Sequence, residues 1–580
     1  MTSGYETAAA LKAAYDEGSL DEFKLILKER GNTKTYAPEK TVYNGDRNGL
    51  NVLFYILDNV MDREPSKLEF FEALLPYCKD VDRQFVSRTE GHYGEKTSAL
   101  TYALSLNVES TDTKAKCIEL LLKHGASVNV PTPLVSDITG SCKPLTPLLL
   151  AQEPEVIKLL AGAGADLHYV TRNGYNAIAN YIIKCFPTPY FKSRQELETE
   201  CKNFLNGIKA LLDAGASPNA DQYMLSNKPA GGVSPLMAAS SLKRYIYMVH
   251  IANPFDAFRV HWKTPELKQF YLNKIEECLN KATDMLLEAG ADPFYKNVDG
   301  NDVMTVCGGY AMLKKFLSLG CDILSHNYSG VSVFGNLFRN SAQYSDEDRE
   351  LIMQEYLSRG GTVNDIINKD GETALFRFPS ITKLDSGKLA NRLLELGADV
   401  NHRDSDDNTP LLKCLFNCFY TPTEHIYEFV KTLVEAGADL NAANKYGNTC
   451  LHYWAEYTAA LCRVSKSSAL SREQEQLCLD ILDYLVEHGA DVNAQNDLGF
   501  TPAAVMVKSI IPMTKRTLCI PFMDRLIEHG ADVLHRQDGE GYSVVDMIHI
   551  KKLQKVVTKL VEHYEELRKL STELEEMYSR

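Results

Sequence analysis

The sequence lacks the features that mark nucleic-acid-binding and membrane-spanning proteins. Among its 580 residues no run of Lys or Arg exceeds two, and 62 basic residues stand against 77 acidic ones, a net charge of −15. A nucleic-acid-binding protein needs a cationic stripe that displaces counterions, so DNA and RNA are not expected as ligands. The charge fits either a plain solvated surface or a basic protein partner. No stretch of about 18 consecutive apolar residues occurs, so we expect no membrane partner.

The sequence also lacks the cysteine spacing of a disulfide or zinc framework. Its 14 cysteines contain no C-x-x-C pair, and several, such as Cys117, Cys278 and Cys478, lie in apolar helical stretches. This pattern is typical of reduced, buried thiols in a reducing compartment. The N-terminus has no charged-then-apolar leader, which favours a cytoplasmic location and leaves delivery into a host cell open.

Catalytic motifs are missing as well. There is no phosphate-binding G-x-x-x-x-G-K-[ST] loop and no H-E-x-x-H zinc helix, and the nearest match to a nucleophile elbow, around Ser332, has its second glycine one place too late. Cys414 and Cys418 could share a helical face, but no second pair of ligands lies near them in sequence. We therefore predict no enzyme activity, no cofactor and no metal.

What the sequence does contain is a repeat. Variants of Leu-Leu-x-x-Gly-Ala-Asp recur with spacings from 30 residues, between Gly290 and Gly320, to 75 residues, between Gly215 and Gly290. The glycines of the repeat are Gly125, Gly164, Gly215, Gly290, Gly320, Gly360, Gly397, Gly437, Gly489 and Gly530. These spacings predict a unit of about 33 residues that carries insertions.

One well-preserved unit shows the local logic. Residues 429–436 have helical apolar spacing, and Gly437 follows as the residue that takes the left-handed conformation at a helix end. A turn around Lys445-Tyr446-Gly447 comes next, and the hydroxyl of Thr449 is expected to cap the following helix. His124, His488 and His529 each precede a repeat glycine, where we expect the imidazole to donate to the last helical carbonyls.

These phrases resemble the ankyrin family, in which T-P-L-H opens the first helix and G-A-D-V-N follows the second. The opening phrase occurs at residues 146–149, 234–237, 409–412 and 501–502, and His452 stands at its histidine in another unit. The closing phrase is complete at 397–401 and 489–493. The resemblance implies an all-α ankyrin-repeat solenoid of about 12 helix-turn-helix units with short β-turn fingers. Its degenerate, tyrosine-rich style looks like that of bacterial or viral ankyrin proteins.

The expected organisation has three parts. Residues 1–34 form an N-terminal capping helix pair, residues 35–545 form the repeat array, and residues 546–580 form a C-terminal helix. Insertions are expected near 181–205, 241–280 and 457–476. The C-terminal helix has a narrow apolar stripe that includes Leu553, Leu560 and Leu567, so it either caps the last unit or pairs weakly with a second copy. The expected state is a monomer or a weak homodimer.

The resemblance implies a protein-binding scaffold or adaptor that holds one or more protein partners on the concave face and the inserted loops. The style of the repeats favours a host-directed effector or a microbial-conflict factor. Turn tips expose side chains that have no core to fill, and aromatic and Arg residues there are candidate contacts. The predicted partner-binding residues are Tyr169, Arg172, Tyr295, Lys296, Arg403, Lys445, Tyr446, Leu498 and Phe500, together with Trp262 of the 241–280 insertion.

The alternative is an enzyme with an unrecognised site in the 241–280 insertion. Its candidate acid and base groups are His250, Asp256 and His261, and nothing in their spacing fixes them together.

Overall fold

Short helices account for most of the chain that the computed structural model describes. The described residues are 4–30, 51–83, 85–86, 96–106, 108, 110–130, 135–136, 142–143, 145–171, 174–191, 193–225, 228–246, 264–339, 344–380, 386–417, 424–464, 472–510, 519–534, 541 and 543–544. The chain divides into two compact parts, an N-terminal part, Met1–Cys321, and a C-terminal part, Asp322–Arg580.

The N-terminal part contains fourteen described α-helices and two described 3-10 helices, Pro65–Lys67 and Leu75–Tyr77. The α-helices are α1 Gly4–Asp16, α2 Leu20–Arg30, α3 Val52–Asp62, α4 Leu68–Leu74, α5 Ala99–Ser105, α6 Thr111–Lys123, α7 Pro147–Leu150, α8 Pro154–Gly162, α9 Ala177–Lys184, α10 Arg194–Asp213, α11 Pro235–Ile246, α12 Pro265–Glu288, α13 Val303–Val306 and α14 Tyr310–Ser318. Alternate helices stack on one another: α3, α5, α7, α9, α11 and α13 form one row, and α4, α6, α8, α10 and α12 form the other.

Three two-stranded antiparallel ladders occur between these helices. Their strands are β1 Phe85–Val86 with β2 Lys96–Thr97, β3 Val135–Ser136 with β4 Cys142–Lys143, and β5 Gln222–Leu225 with β6 Lys228–Gly231. Each ladder lies in a loop that leads to the first helix of the next repeat, which is where β-turn fingers were expected.

The C-terminal part contains nine described α-helices and one 3-10 helix, Ala374–Ser380. The α-helices are α15 Val333–Arg339, α16 Asp346–Ser358, α17 Ser386–Glu395, α18 Pro410–Asn417, α19 Glu424–Glu435, α20 Cys450–Val464, α21 Arg472–Glu487, α22 Pro502–Ile510 and α23 Ile520–Glu528. The 3-10 helix, α18, α20 and α22 stack in one row, and α17, α19, α21 and α23 stack in the other. The all-α, two-row architecture expected from the repeat is thus confirmed in each part.

Glycine ends the second helix of each repeat for the predicted reason. Gly437 has φ of 88°, its N–H donates to the carbonyl of Val434, and the N–H of Ala438 donates to the carbonyl of Leu433. These bonds satisfy carbonyls that the end of α19 would otherwise leave open, and only glycine adopts this conformation without strain. The other nine repeat glycines also have positive φ, between 86° and 104°.

The predicted insertions fall partly on described residues. The two longest helices, α10 with 20 residues and α12 with 24 residues, begin inside the segments 181–205 and 241–280. Residues 247–263 and the predicted C-terminal helix, 546–580, lie outside the described residues. The number of repeats, the capping role of α1 and α2, and the role of 546–580 stay predictions.

Candidate protein-binding surface

Each well-preserved repeat of the C-terminal part has a four-residue turn built around an Asn or Asp side chain. In the turn 444–447, Oδ1 of Asn444 accepts hydrogen bonds from the N–H groups of Tyr446 and Asn448, each at 3.0 Å. The same two bonds form at Asn368, Asp404 and Asn496. A buried side-chain oxygen thus fixes the turn from inside. We call these turns, 368–371, 404–407, 444–447 and 496–499, the finger row.

The fourth residue of each finger has a left-handed backbone. Gly371, Gly447 and Gly499 have φ of 75°, 74° and 74°, and Asp407 takes the same place with φ of 58°. Asp407 is the described non-glycine residue with positive φ, and Asp tolerates this region better than most residues do. Asp407 has this conformation because it occupies the fourth position of its finger, where the other three fingers have glycine.

Neighbouring fingers are joined by backbone hydrogen bonds at their tips. The N–H of Ser405 donates to the carbonyl of Asp370 at 2.8 Å, the N–H of Lys445 to that of Asp406 at 3.0 Å, and the N–H of Asp497 to that of Tyr446 at 3.1 Å. In each case the second residue of one finger binds the third residue of the finger before it. The tips therefore form one continuous, ordered row.

A second set of bonds joins the segments behind the fingers. Nδ2 of Asn441 donates to the carbonyl of Gly489 at 3.0 Å, and its Oδ1 accepts from the N–H of Asp491 at 2.8 Å. Within the C-terminal part, Asn364, Asn401 and Asn493 make the same pair of bonds to the next repeat. Each asparagine is the last residue of a G-A-D-V-N phrase or of a variant of it.

A buried charge network supports two of the fingers. Nζ of Lys413 lies 3.1 Å from Oε1 of Glu372 and 3.4 Å from Oδ2 of Asp404, and the two carboxylate side chains are 5% and 2% exposed. Glu372 also contacts the guanidinium of Arg377 at 2.8 Å. Burial by itself would lower the pKa of Lys413, whereas the hydrogen bonds and negative charges of Glu372 and Asp404 raise it. The second effect is larger, so the pKa of Lys413 lies above its usual value. The lysine is therefore held charged between two successive repeats.

Four predicted contact residues lie exposed in or beside the finger row. Tyr446 is 56% and Leu498 is 61% exposed, each as the third residue of its finger. Lys445 is exposed and pairs with the carboxylate of Asp406, which raises the pKa of the lysine. Arg403 is exposed and donates to the carbonyl of Ala443 at 2.8 Å, so its guanidinium also ties two fingers together.

Three predicted residues of the N-terminal part are only partly available. Tyr169 is half-buried, and this burial raises the pKa of its phenol. Tyr295 is half-buried as well, and its hydroxyl donates to the carbonyl of Gly232 at 2.9 Å, which anchors the ring on its own fold. Lys296 is exposed, with Nζ 3.6 Å from Asp302.

The expectation that Phe500 is exposed was wrong. Its side chain is 3% exposed, and Nζ of Lys508 lies 4.2 Å from the centre of its ring. Phe500 follows the finger turn and is already part of the return to the core, so its carbonyl reaches Nε2 of His452 at 2.8 Å. Arg172 and Trp262 lie outside the described residues, as do the candidate groups His250, Asp256 and His261.

Sequence reasoning missed several exposed apolar residues, among them Tyr328, Phe294 and Ile366. Tyr328 is 80% exposed, and a signal existed, because Asn327-Tyr328-Ser329-Gly330 has the spacing of a finger. Phe294 is 59% exposed at a position where other repeats have the linking asparagine, so comparing repeats would have found it. Ile366, 55% exposed, has no comparable signal.

The histidines that were assigned structural roles have mostly the expected contacts. Nδ1 of His124 and of His488 lie 2.9 Å and 2.7 Å from the carbonyls four residues earlier, which confirms helix-end capping. His529 differs, because its Nε2 lies 2.6 Å from Oδ1 of Asp483 and makes a hydrogen bond to α21 instead.

His452 fixes the start of α20 in a way that differs from the expected threonine cap. Its Nδ1 accepts from the backbone N–H of Thr449 at 3.1 Å and lies 2.9 Å from the threonine hydroxyl, so the imidazole takes the capping role. Nε2 then donates to the carbonyl of Phe500. Burial is the main cause that lowers the pKa of His452, so the ring is held neutral.

Among the described ranges no group of three or more His, Cys, Asp and Glu side chains has the arrangement of a metal site. Cys414 is buried, and Cys418 lies outside the described residues. No helix in the described portion is both long and apolar enough to cross a membrane.

Comparison with known proteins agrees with the repeat pattern. The family model of the ankyrin repeat matches residues 446–497, which run from the third finger to the fourth. Two relatives are named ankyrin repeat and SOCS box protein 6, one from Homo sapiens and one from Pongo abelii. Each is 33% identical over 104 residues, and the match covers 17% of this chain and 23% of the relative. The chain therefore spans about a quarter of the length of these relatives.

Proposed function

Because the chain is an ankyrin-repeat protein, and ankyrin repeats generally mediate protein–protein interaction, we propose that it is a scaffold or adaptor that holds a protein partner on its finger row. Ankyrin-repeat proteins are typically non-enzymatic, so the proposed role is binding alone. A host-directed effector or microbial-conflict role stays a prediction from the style of the repeats.

The exposure of Tyr446 and Leu498 carries the proposal. Both are large apolar side chains at the third position of consecutive fingers, and they are more than half exposed although the backbone around them is fixed by the tip-to-tip hydrogen bond. Exposing apolar area costs free energy that a partner would recover. A tyrosine on a rigid turn also loses little conformational entropy on binding, which is why such residues dominate binding hot spots.

The charge around the fingers supports one kind of partner. The segments 362–373, 399–409, 439–449 and 491–501 contain ten carboxylates and three Lys or Arg residues. Lys413 and Arg377 together balance the charges of Glu372 and Asp404, but Asp370, Asp407 and Asp497 are exposed. A partner segment with basic residues beside apolar ones would complement this surface in both respects.

The experiment uses site-specific photo-crosslinking in the native cell. Full-length protein with p-benzoylphenylalanine at position 446 or 498 is expected to give a discrete covalent adduct, whose partner is identified by mass spectrometry. The same label at position 431, a partly exposed position on α19 away from the fingers, is the control and should give no such adduct.

Binding of the purified partner then tests the residues directly. Tyr446→Ala combined with Leu498→Ala should weaken it at least about tenfold, as expected for removal of two hot-spot side chains. Arg403→Ala and Lys445→Ala should have smaller effects, because both side chains already bind within the finger row. Equal adducts at position 431, or unchanged affinity of the double variant, would show that the finger row is not the binding surface.

A further inference from the structure

Two cysteines from successive repeats meet in the N-terminal part. Cys201 lies in α10 and Cys278 lies in α12, and these two helices pack against each other. Sγ of Cys278 lies 3.8 Å from the carbonyl oxygen of Cys201, and both thiols line the same groove between the helices. Both cysteines are free. Two thiols in contact can form a disulfide with little movement of the backbone.

The two thiols differ in their readiness to ionise. The hydrogen bond from Cys278 is the largest cause that lowers the pKa of Cys201, and the ammonium group of Lys274 adds to it, so that together they outweigh burial. The same hydrogen bond, together with burial, raises the pKa of Cys278. Since the thiolate is the reactive form of cysteine, Cys201 is the nucleophile of the pair and Cys278 is its resolving partner.

Solvent reaches this pair through a groove between α10 and α12. The groove has a volume of about 210 Å³, and its charged lining consists of Lys202, Lys274, Lys281, Glu198 and Glu277. Both thiols lie at its floor, where Cys201 is 3% and Cys278 is 2% exposed. The groove admits molecules of the size of water, and hydrogen peroxide is only slightly larger. The charge of Lys274 favours the thiolate of Cys201, whereas the carboxylates of Glu200 and Glu277 oppose it.

We propose that Cys201 and Cys278 form a peroxide-sensitive dithiol site that closes to a disulfide. The thiolate of Cys201 attacks one oxygen of hydrogen peroxide, the O–O bond breaks, and Cys201 becomes a sulfenic acid. The leaving hydroxide takes up the proton that the Cys201 thiol lost on ionising and departs as the first water. The sulfur of Cys278 then attacks the sulfenic sulfur, the S–O bond breaks, and a second water leaves with the thiol proton. Overall, two thiols are oxidised by two electrons and one peroxide is reduced to two waters.

The disulfide would link second helices of adjacent repeats across 77 residues of chain. That chain contains the predicted 241–280 insertion, at the longest interval between repeat glycines. A crosslink over so long a loop restricts the unfolded chain more than the folded one. Oxidation therefore links the two repeats that flank the largest insertion covalently, which raises the melting temperature of the protein. This effect does not depend on a partner bound to the finger row.

Two control sets in the same chain make the test specific. Cys117 and Cys450 are buried as Cys201 and Cys278 are, but neither lines the groove, and burial raises the pKa of each of these two control thiols to about 12, so both should stay reduced. Cys462 and Cys519 are a second hydrogen-bonded pair, but the causes that raise the pKa of Cys519 include no lysine. That pair should oxidise more slowly than Cys201 and Cys278.

The test is peptide mapping of the full-length protein after treatment with stoichiometric hydrogen peroxide. We expect a Cys201–Cys278 linked peptide that disappears on reduction, and a melting temperature that rises by several degrees and returns on reduction. In Cys278→Ser, dimedone should label Cys201 as a sulfenic acid, whereas Cys201→Ser should leave Cys278 unlabelled. Mapping of the unaltered protein decides the question even if a variant folds poorly.

Three results would overturn the proposal. They are the absence of the linked peptide when Cys201 has been oxidised, oxidation of Cys117 or Cys450 as fast as that of Cys201, and earlier crosslinking of Cys462 to Cys519.

Discussion

Lys413→Met tests whether the buried charge network holds the fingers in register. The substitution keeps the length of the side chain but leaves Glu372 and Asp404, at 5% and 2% exposure, without their shared cation. Removing one partner of a fully buried ion pair costs about 3–5 kcal/mol. Here Lys413 is 20% exposed and Glu372 keeps Arg377 at 2.8 Å, so we expect a smaller loss of about 2–3 kcal/mol.

Urea unfolding followed by tryptophan fluorescence measures this loss. The chain has two tryptophans, so a Trp262→Phe background leaves the buried Trp454 as a reporter of the C-terminal part. Lys431→Met is the matched control, because Lys431 pairs with a Glu428 side chain that is 67% exposed. A surface pair of this kind contributes about 0–1 kcal/mol, so the control should unfold almost as the unaltered protein does.

The pH dependence separates charge from packing. The pKa of Lys413 is raised, so the folded state binds this proton more tightly, and the stabilisation is present below about pH 10.5 and is lost as pH rises through the folded pKa. The difference between Lys413→Met and the unaltered protein should therefore narrow above pH 10.5. Equal losses in Lys413→Met and Lys431→Met, or a difference that does not change with pH, would refute the reasoning.

Three further predictions concern single contacts. Asn441→Ala removes two hydrogen bonds to the next repeat and should lower the urea midpoint by the equivalent of about 1–2 kcal/mol, and an unchanged midpoint would mean that these bonds add no stability. Because folding lowers the pKa of His452, the free energy of unfolding should be highest above about pH 6.5 and should decrease as the pH falls below that value. If the His452 ring causes this pH dependence, the free energy of unfolding of His452→Gln should depend less on pH. A Cβ at Gly207 would lie 2.0 Å from the hydroxyl oxygen of the buried Tyr181, so Gly207→Ala should lower the melting temperature. Gly162 is a helical glycine with open space around it, so Gly162→Ala should raise the melting temperature slightly. Similar changes in melting temperature for both variants would show that the methyl group at position 207 does not clash with Tyr181.

The fold could be predicted from the sequence because its signals are local. The glycine after each second helix, the apolar spacing before it and the G-A-D-V-N phrase act within a few residues, so Gly437 and Asn441 are recognisable without any knowledge of distant contacts. The pattern in one unit is a weak indication of fold, but its recurrence along the chain makes the assignment specific. Each unit packs mainly on the next one, so the same local pattern recurs in every unit. The exposed positions of Lys445, Tyr446 and Leu498 followed from the same register.

Only the tertiary structure decided which side chains near the turns are available and which thiols meet. Phe500 lies two residues from the exposed Leu498 and has the same apolar character, but the chain has already turned towards the core there, so it is buried. Cys201 and Cys278 are 77 residues apart, and the sequence gives no reason to pair them until α10 and α12 pack together. Local periodicity determines the repeat and its turns, whereas burial and contact between side chains depend on how successive repeats stack, which no single repeat encodes.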